Sequence, residues 1–285
     1  MIFPSGQVWL ASYPKSGNTW MRILLSNLLS GSENPEDINN LALRDGSACN
    51  RDDFEEYTLL DSTLLCPHEI ENLMPLVQEA KAADGSTARF IKVHDAWRYL
   101  PDGRPMLGRA ARAALYLVRD PRDVAVSFAF HQAATLDHTI ARMNSPENFL
   151  AGGPFQLPQR VDDWSGHVRG WLDQTVLPVH LIRYEDLRAD TTGVFRRALE
   201  FLGAEFHDDR AADDAISKAV FHSDFNELRR QESERGFRER RPDQAVFFRE
   251  GRSGAWKEYL NAAQVRLIEN AHAATMVRLG YELAN

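Results

Sequence analysis

Apolar positions along the chain gather into short β-prone runs that alternate with longer amphipathic stretches, and this alternation predicts an α/β fold. Residues 8–12 (VWLAS) are short, apolar and β-prone, and Tyr13-Pro14 breaks the run. Residues 15–19 turn the chain, and residues 20–29 are apolar almost all round, as in a helix packed on a sheet. A polar, Asn/Asp-rich connection over 31–56 follows. Pro67-His68-Glu69 then starts a helix with Ile70, Leu73, Met74 and Val77 as its apolar stripe. Residues 88–94 and 114–119 read as the second and third strands. Asp120 suits the cap of the next helix, with Pro121 at its first position and Asp123 at its third, and residues 125–134 carry it on. Residues 137–158 read as loop around Gly152-Gly153-Pro154. An amphipathic helix over 161–177 carries Trp164, Val168, Trp171 and Leu172 as core, and 179–184 is a fourth strand. Further helices are expected over 191–202, ended by Gly203, and over 208–220. Asn261 and Gln264 form a capping-box-like start to a last helix over 261–279, which Gly280 stops.

Composition narrows the class. At 285 residues, with 44% hydrophobic and 26% charged positions, the chain is globular and can bury a substantial core. A formal net charge of −8 argues against general binding to nucleic acid or anionic membranes. No apolar run approaches the ~20 residues of a membrane span. Residues 1–6 lack a basic region and enter a strand at once, so no signal peptide is expected. Cys49 and Cys66 have no metal-ligand spacing and make no disulfide framework, so a reducing cytoplasm is the simplest home. Without an internal repeat or an obvious linker, residues 1–285 are expected to form one domain.

Candidate chemistry concentrates where strands end. Residues 15–19 (KSGNT) lie between a strand and a helix, where unpaired N–H groups and about half a positive charge await an anion. Gly17 allows close backbone approach, Ser16 and Thr19 add hydroxyls, and Lys15 adds a full charge. The loop is not a Walker A sequence, which needs Gly-Lys-Ser/Thr after a longer glycine loop. The second strand ends in Lys92-x-His94, a cation and an imidazole pointing the same way at the sheet edge where ligands of open α/β sheets bind. Ser127 lies two helical turns beyond Asp120 on nearly the same face, so it and Arg119 could grip one anion together. Taken alone, each of these groups has an ordinary structural role open to it: a salt-bridging arginine, a back-bonded serine, a core histidine. Residues 229–241 hold six Arg and three Glu, either a solvated loop or a lid over a polyanion.

As an ordered set, strand, Pro-Lys-Ser-Gly-Asn-Thr-Trp and apolar helix closely resemble the 5′-phosphosulfate loop of sulfotransferases that use 3′-phosphoadenosine 5′-phosphosulfate (PAPS). LVRDPRDVAVSFAFH resembles that family's 3′-phosphate motif, and residues 247–257 resemble its C-terminal Arg-Lys-Gly-x-x-Gly-Asp-Trp-Lys signature. The resemblance implies a central parallel sheet flanked by helices, related to nucleotide kinases. It also implies in-line sulfuryl transfer to a hydroxyl or amine of a small-molecule acceptor, leaving 3′-phosphoadenosine 5′-phosphate (PAP), with no metal. His94 would be the general base, Lys15 would stabilise the leaving phosphate and Lys92 would steady the sulfuryl oxygens. Lys15, Ser16, Gly17, Asn18, Thr19 and Trp20 would hold the 5′ end, and Arg119, Ser127, Arg249 and the backbone at Glu250 and Gly251 the 3′-phosphate. Tyr184, Ser223, Phe225 and Phe247 would meet the adenosine. The sequence departs from the family at Glu250, where lysine is usual, and at Ala255, where aspartate is usual. The family's dimer signature is not matched, since Lys257, Asn261, Ala262 and Arg266 stand at its positions. The rival is a Mg-ATP phosphotransferase, because Asp120 ends an apolar strand as a Walker B aspartate would.

Overall fold

The computed structural model describes residues 1–41, 43, 46–83 and 85–284, so part of the 31–56 connection lies outside the described residues. In chain order it runs β1 (Gly6–Ser12), α1 (Asn18–Ser30), α2 (Arg51–Thr58), α3 (Pro67–Ala83), β2 (Ala88–Val93), β3 (Ala113–Val118) and α4 (Pro121–Gln132). It continues through α5 (Leu136–Met143), a two-residue pair β4 (Phe149–Leu150) and β5 (Gln159–Arg160), α6 (Trp164–Asp173), β6 (Val179–Arg183) and α7 (Tyr184–Ala189). Helices α8 (Thr191–Phe201), α9 (Asp209–His222), α10 (Phe225–Arg235), α11 (Trp256–Tyr259) and α12 (Ala262–Arg278) complete it.

Four strands make one parallel sheet in the order β2-β1-β3-β6. The period-two alternation of β1 divides the core. Trp9 and Ala11 face one side with Tyr116, Phe128, Trp164 and Trp171, whereas Val8 and Leu10 face the other with Met21, Leu24, Phe195 and Ile216. Helices therefore cover both faces, and β3 is buried along its whole length, as expected of a central parallel strand. All four strands point their C-terminal ends to one edge, which collects Ser12, Val93, Val118 and Arg183. The loops after those residues build the site.

Three readings from sequence need correction. Residues 137–158 are not simply loop. Thr135 caps α5 by accepting from the His138 N–H, and Ile140 and Met143 bury its inner face. The helix expected over 161–177 is shorter, because Asp163 caps it at Trp164 and Gln174 is already extended. Residues 229–235 belong to α10, which Asp224 caps and the Arg230 pairs with Glu227 and Glu234 brace. Only the part beyond Gly236, a left-handed residue at φ 72°, lacks regular structure. The capping box of α12 forms as expected, with Asn261 accepting from the Gln264 N–H and Gln264 from that of Asn261.

Candidate active site

A cleft of about 1200 Å³ opens at the C-terminal edge of the sheet. Its walls include Lys15, Gly17, Asn18, Thr19, Trp20, Lys92, His94, Arg119, Ser127, Tyr184, Phe225, Phe247, Arg249, Glu250 and Gly251. Residues from six separate segments thus meet in one place, most of the set that the sequence predicts.

The β1–α1 turn is shaped for close approach. Gly17 caps α1 at φ 101°, and among the described residues no side-chain cap bonds the N–H groups of the first turn. A Cβ at Gly17 would stand 2.9 Å from the Tyr184 ring, so both conformation and space call for glycine. Lys15 itself has φ 68°, an uncommon left-handed conformation for a residue with a side chain. Its ammonium sits 4.0 Å from the centre of the Phe247 ring. Burial, with the charges of Lys92 and Arg119 nearby, pulls its pKa down to about 7. Asn18 turns its side chain inward instead, donating to the Leu10 carbonyl at 2.8 Å and pinning the turn to β1. What it offers a ligand is its N–H.

His94 follows the last residue of β2. Its Nδ1 lies 2.8 Å from the Ser12 carbonyl, which can only accept, so Nδ1 carries the proton and Nε2 is left as a base. Burial, reinforced by the Lys92 charge, holds its pKa well below the usual histidine value. The strand end is fixed from behind by His167. Its Nε2–H donates to the His94 carbonyl at 3.1 Å, while its Nδ1 accepts from the Tyr116 hydroxyl at 2.8 Å. Burial drives the His167 pKa down to about 3, so it stays neutral in this bridge. In the sequence His167 stands among Trp164, Val168 and Trp171 on a core-facing helix, and its bridging role is invisible there.

At the end of β3, Arg119 lies 4.4 Å over the Tyr184 ring and donates to the carbonyls of Lys15 (3.4 Å) and Arg252 (2.9 Å). Among the described residues it has no carboxylate partner, and its buried Nε has no hydrogen-bond partner at all. Ser127, on α4, lines the same cleft. Asp123 reaches across to accept from the N–H groups of Gly254 and Trp256, tying the C-terminal signature to α4. Asp120 is occupied as the cap of α4 and in an ion pair with Arg122, which also meets Glu269.

Two predicted residues stand apart from the cleft walls. The Ser223 hydroxyl is buried, donating to the Ala219 carbonyl and accepting from Asn27. That of Ser16 is buried and has no hydrogen-bond partner among the described residues. The adenosine-side aromatics do converge: the Trp20 indole donates to the Ser223 carbonyl and meets Tyr184 edge-on, 6.1 Å between centroids. A Cβ at Gly251, where φ is 59°, would fall 2.5 Å from the Phe225 ring.

The segment beyond α10 behaves differently. Arg249 lies 4.0 Å over the Phe130 ring, donates to the Tyr259 hydroxyl and pairs with Glu250 at 2.5 Å. Glu250 also accepts from Arg252 and Tyr259. Burial pushes its pKa up, but these hydrogen bonds and the two arginine charges outweigh that and leave it lowered. Glu239 reaches the opposite wall, pairing with Arg22 at 2.5 Å and with Lys92 at 3.4 Å. Arg22 belongs to no motif read from the sequence, and Glu239 is not singled out within the charged run 229–241. Among the described residues no cluster of three or more His, Cys, Asp or Glu side chains could hold a metal, and no helix is long and apolar enough to cross a membrane.

Comparison with known proteins follows the same outline. A family model described as "Sulfotransferase domain" matches residues 5–280. The chain is 25% identical over 276 residues to "Sulfotransferase 1 family member D1" of Rattus norvegicus, covering 94% of this chain and 83% of that protein. It is 25% identical over 273 residues to "Cytosolic sulfotransferase 17" of Arabidopsis thaliana, covering 92% and 71%. In fold it is similar to a mouse sulfotransferase complexed with PAP, with 18% identity, 95% and 85% coverage and a TM-score of 0.58. It is also similar to a retinol dehydratase in complex with retinol and PAP, with 21% identity, 97% and 82% coverage and a TM-score of 0.60.

Proposed function

The chain belongs to the sulfotransferase domain family, and from that premise we propose that it moves a sulfuryl group from PAPS to a hydroxyl or amine of a small-molecule acceptor in the cytoplasm. The cleft fits such a nucleotide. The first turn of α1 presents N–H groups that no side chain caps, and Arg119, without a carboxylate partner among the described residues, lines the same cleft with Ser127. PAPS carries charge at both its 5′ and 3′ ends. Lys15, Thr19 and the α1 N–H groups would take the 5′ end, and Arg119, Ser127 and Arg249 the 3′-phosphate. Trp20, Tyr184, Phe225 and Phe247 offer aromatic surface to the base. PAPS supplies the activated sulfuryl group, and the chain's own residues orient it and manage the acceptor proton.

The observation that carries this reading is the state of His94. Its Nδ1–H is committed to the Ser12 carbonyl, which leaves a neutral Nε2 in the same cleft as Lys15 and Lys92. A base in that state accepts the acceptor's proton as the new bond forms. Lys15 would meet the charge growing on the leaving oxygen, an interaction stronger in the transition state than before it. Lys92 would steady the sulfuryl oxygens, and the arginines at 238, 240 and 241, which also line the cleft, suit a lid over a polyanion. Against the Mg-ATP reading, Asp120 is occupied with its helix and Arg122.

Calorimetric titration with PAP and, separately, with Mg-ATP decides between the two nucleotides. PAP should bind and Mg-ATP should not; the reverse overturns the proposal. Labelled PAPS offered with a panel of phenols, alcohols and amines then identifies the acceptor.

A further inference from the structure

Glu239 is a carboxylate in a place built for an anion. Its Oε1 pairs with Arg22 at 2.5 Å, and its Oε2 lies 3.4 Å from both the Lys92 ammonium and the Thr19 hydroxyl. Thr19 sits in the uncapped first turn of α1, and Arg22 lies three residues on, about one turn along the same face. Two cations and a hydroxyl from two segments, α1 and β2, thus converge on one acidic group, which comes from the irregular stretch beyond Gly236. Burial by itself would raise the Glu239 pKa, yet Lys92 and Arg22 more than reverse that and hold it well below the usual carboxylate range. The side chain is therefore ionised wherever the protein is folded near neutral pH. Lys15, by contrast, has no carboxylate within ion-pair distance among the described residues and rests on the Phe247 ring.

We propose that Arg22, Thr19 and Lys92 form an anion subsite for the charged 5′ end of the nucleotide, the phosphate of PAP or the phosphosulfate of PAPS, and that Glu239 is its built-in occupant, which the nucleotide must displace to bind. The proposal rests on the nucleotide reading above. It adds Arg22 to the binding groups and gives the stretch beyond Gly236 a defined function. Two anions cannot share these donors without strong repulsion, so Glu239 and the ligand compete for them. The competition is also selective. A nucleotide with a charged 5′ group replaces what Arg22 and Lys92 lose, whereas an uncharged nucleoside leaves both unpaired. The apparent affinity equals the intrinsic affinity reduced by the fraction of molecules in which the subsite is open.

The test titrates PAP calorimetrically into the full chain and into its Glu239→Gln and Glu239→Ala variants, and melts all three proteins against inorganic sulfate. If Glu239 holds the subsite roughly nine-tenths of the time, PAP should bind about tenfold more tightly to both variants. The sulfate concentration needed for a given rise in melting temperature should fall in parallel. Adding Arg22→Gln to Glu239→Gln should remove the gain for both anions; an unchanged affinity would take Arg22 out of the subsite. Equal or weaker binding of PAP and sulfate by both single variants would overturn the proposal and make Glu239 a support for Lys92 instead. If no protein binds PAP while sulfate still stabilises the variants more strongly, the occupied subsite stands and the nucleotide reading falls.

Discussion

The two walls of the cleft are made in different ways. On the sheet side, Lys92 and His94 lie at the end of β2 and Arg119 follows β3, with Ser127 on α4 and Lys15 in the turn that leads into α1. The parallel ladder fixes the strand ends, and backbone carbonyls at Ser12, Lys15 and Arg252 accept from the functional side chains. On the other side, the chain beyond Gly236 forms no regular element until the short helix α11, and around Glu250 its charges satisfy one another. Arg249 pairs with Glu250, Glu250 with Arg252, and Arg252 with Glu258. A wall held by backbone hydrogen bonds keeps its shape whatever the cleft contains. Side chains held by partly exposed ion pairs exchange partners when a stronger anion arrives, because each such pair is worth little.

The largest effect should come from the sheet side. His94→Ala should lower sulfuryl transfer by about 10²–10⁴-fold, the range of general-base catalysis, while PAP binding stays near that of the unaltered chain. Turnover measured against pH sharpens the point. A histidine of lowered pKa stays neutral until the pH falls below that value, so no loss due to His94 is expected as the pH drops from 7.5 through 6.5. A variant that keeps most of its rate would show that the strand ends are not the chemical wall. Next in size is the effect of Arg119→Ala. A charged hydrogen bond to phosphate contributes about 1.5–3 kcal/mol, so PAP should bind roughly 10- to 100-fold more weakly, whereas adenosine 5′-phosphate should change little. Ser127→Ala should act in the same direction but less. Equal losses for the two nucleotides, measured by calorimetry, would separate both residues from the 3′ end.

The contrast between the walls also explains what the sequence disclosed. Strands are short apolar runs, and the turn after each must pass the sheet edge, so Lys15, Lys92, His94 and Arg119 could be placed from position alone. Parallel pairing with helices on both faces was implied by the family resemblance, and the sheet order bears it out. Residues 137–158 were less legible, since α5 spans only eight residues and its stripe rests on two buried apolar side chains, Ile140 and Met143. His167 lies on a helix whose Trp164, Val168 and Trp171 mark it as core, and nothing in the sequence singles it out; its function is the hydrogen bond it sends to the His94 carbonyl, a contact 73 residues distant that no local pattern encodes. Ser223 occupies the expected place in the chain, but Asn27 and the Ala219 carbonyl have claimed its hydroxyl. Glu239 lies in a run so rich in charge that no single carboxylate stands out. Its partners come from α1 and β2, more than 140 residues away in the chain.

Glu250 gives the smallest effect and the finest comparison of the two walls. From sequence, a glutamate where lysine is usual would keep its N–H but repel a phosphate if its carboxylate turned inward. In the fold its carboxylate is turned into a knot with Arg249, Arg252 and Tyr259 instead, which occupies an arginine proposed for the 3′-phosphate. Glu250→Gln keeps the backbone N–H and the side-chain size while removing the charge that draws Arg249 aside. PAP should then bind a few-fold more tightly, consistent with the modest worth of a partly exposed pair. The gain should shrink between low and high salt, because screening weakens the Glu250 pairs in the original chain. In Arg119→Ala, where the guanidinium on the sheet side is gone, the same change should matter more, since Arg249 would be the remaining arginine proposed for that phosphate. Weaker PAP binding by Glu250→Gln at every salt concentration would mean that the knot orients Arg249 rather than diverting it. The second wall would then be as preorganised as the first, by ion pairs in place of a ladder.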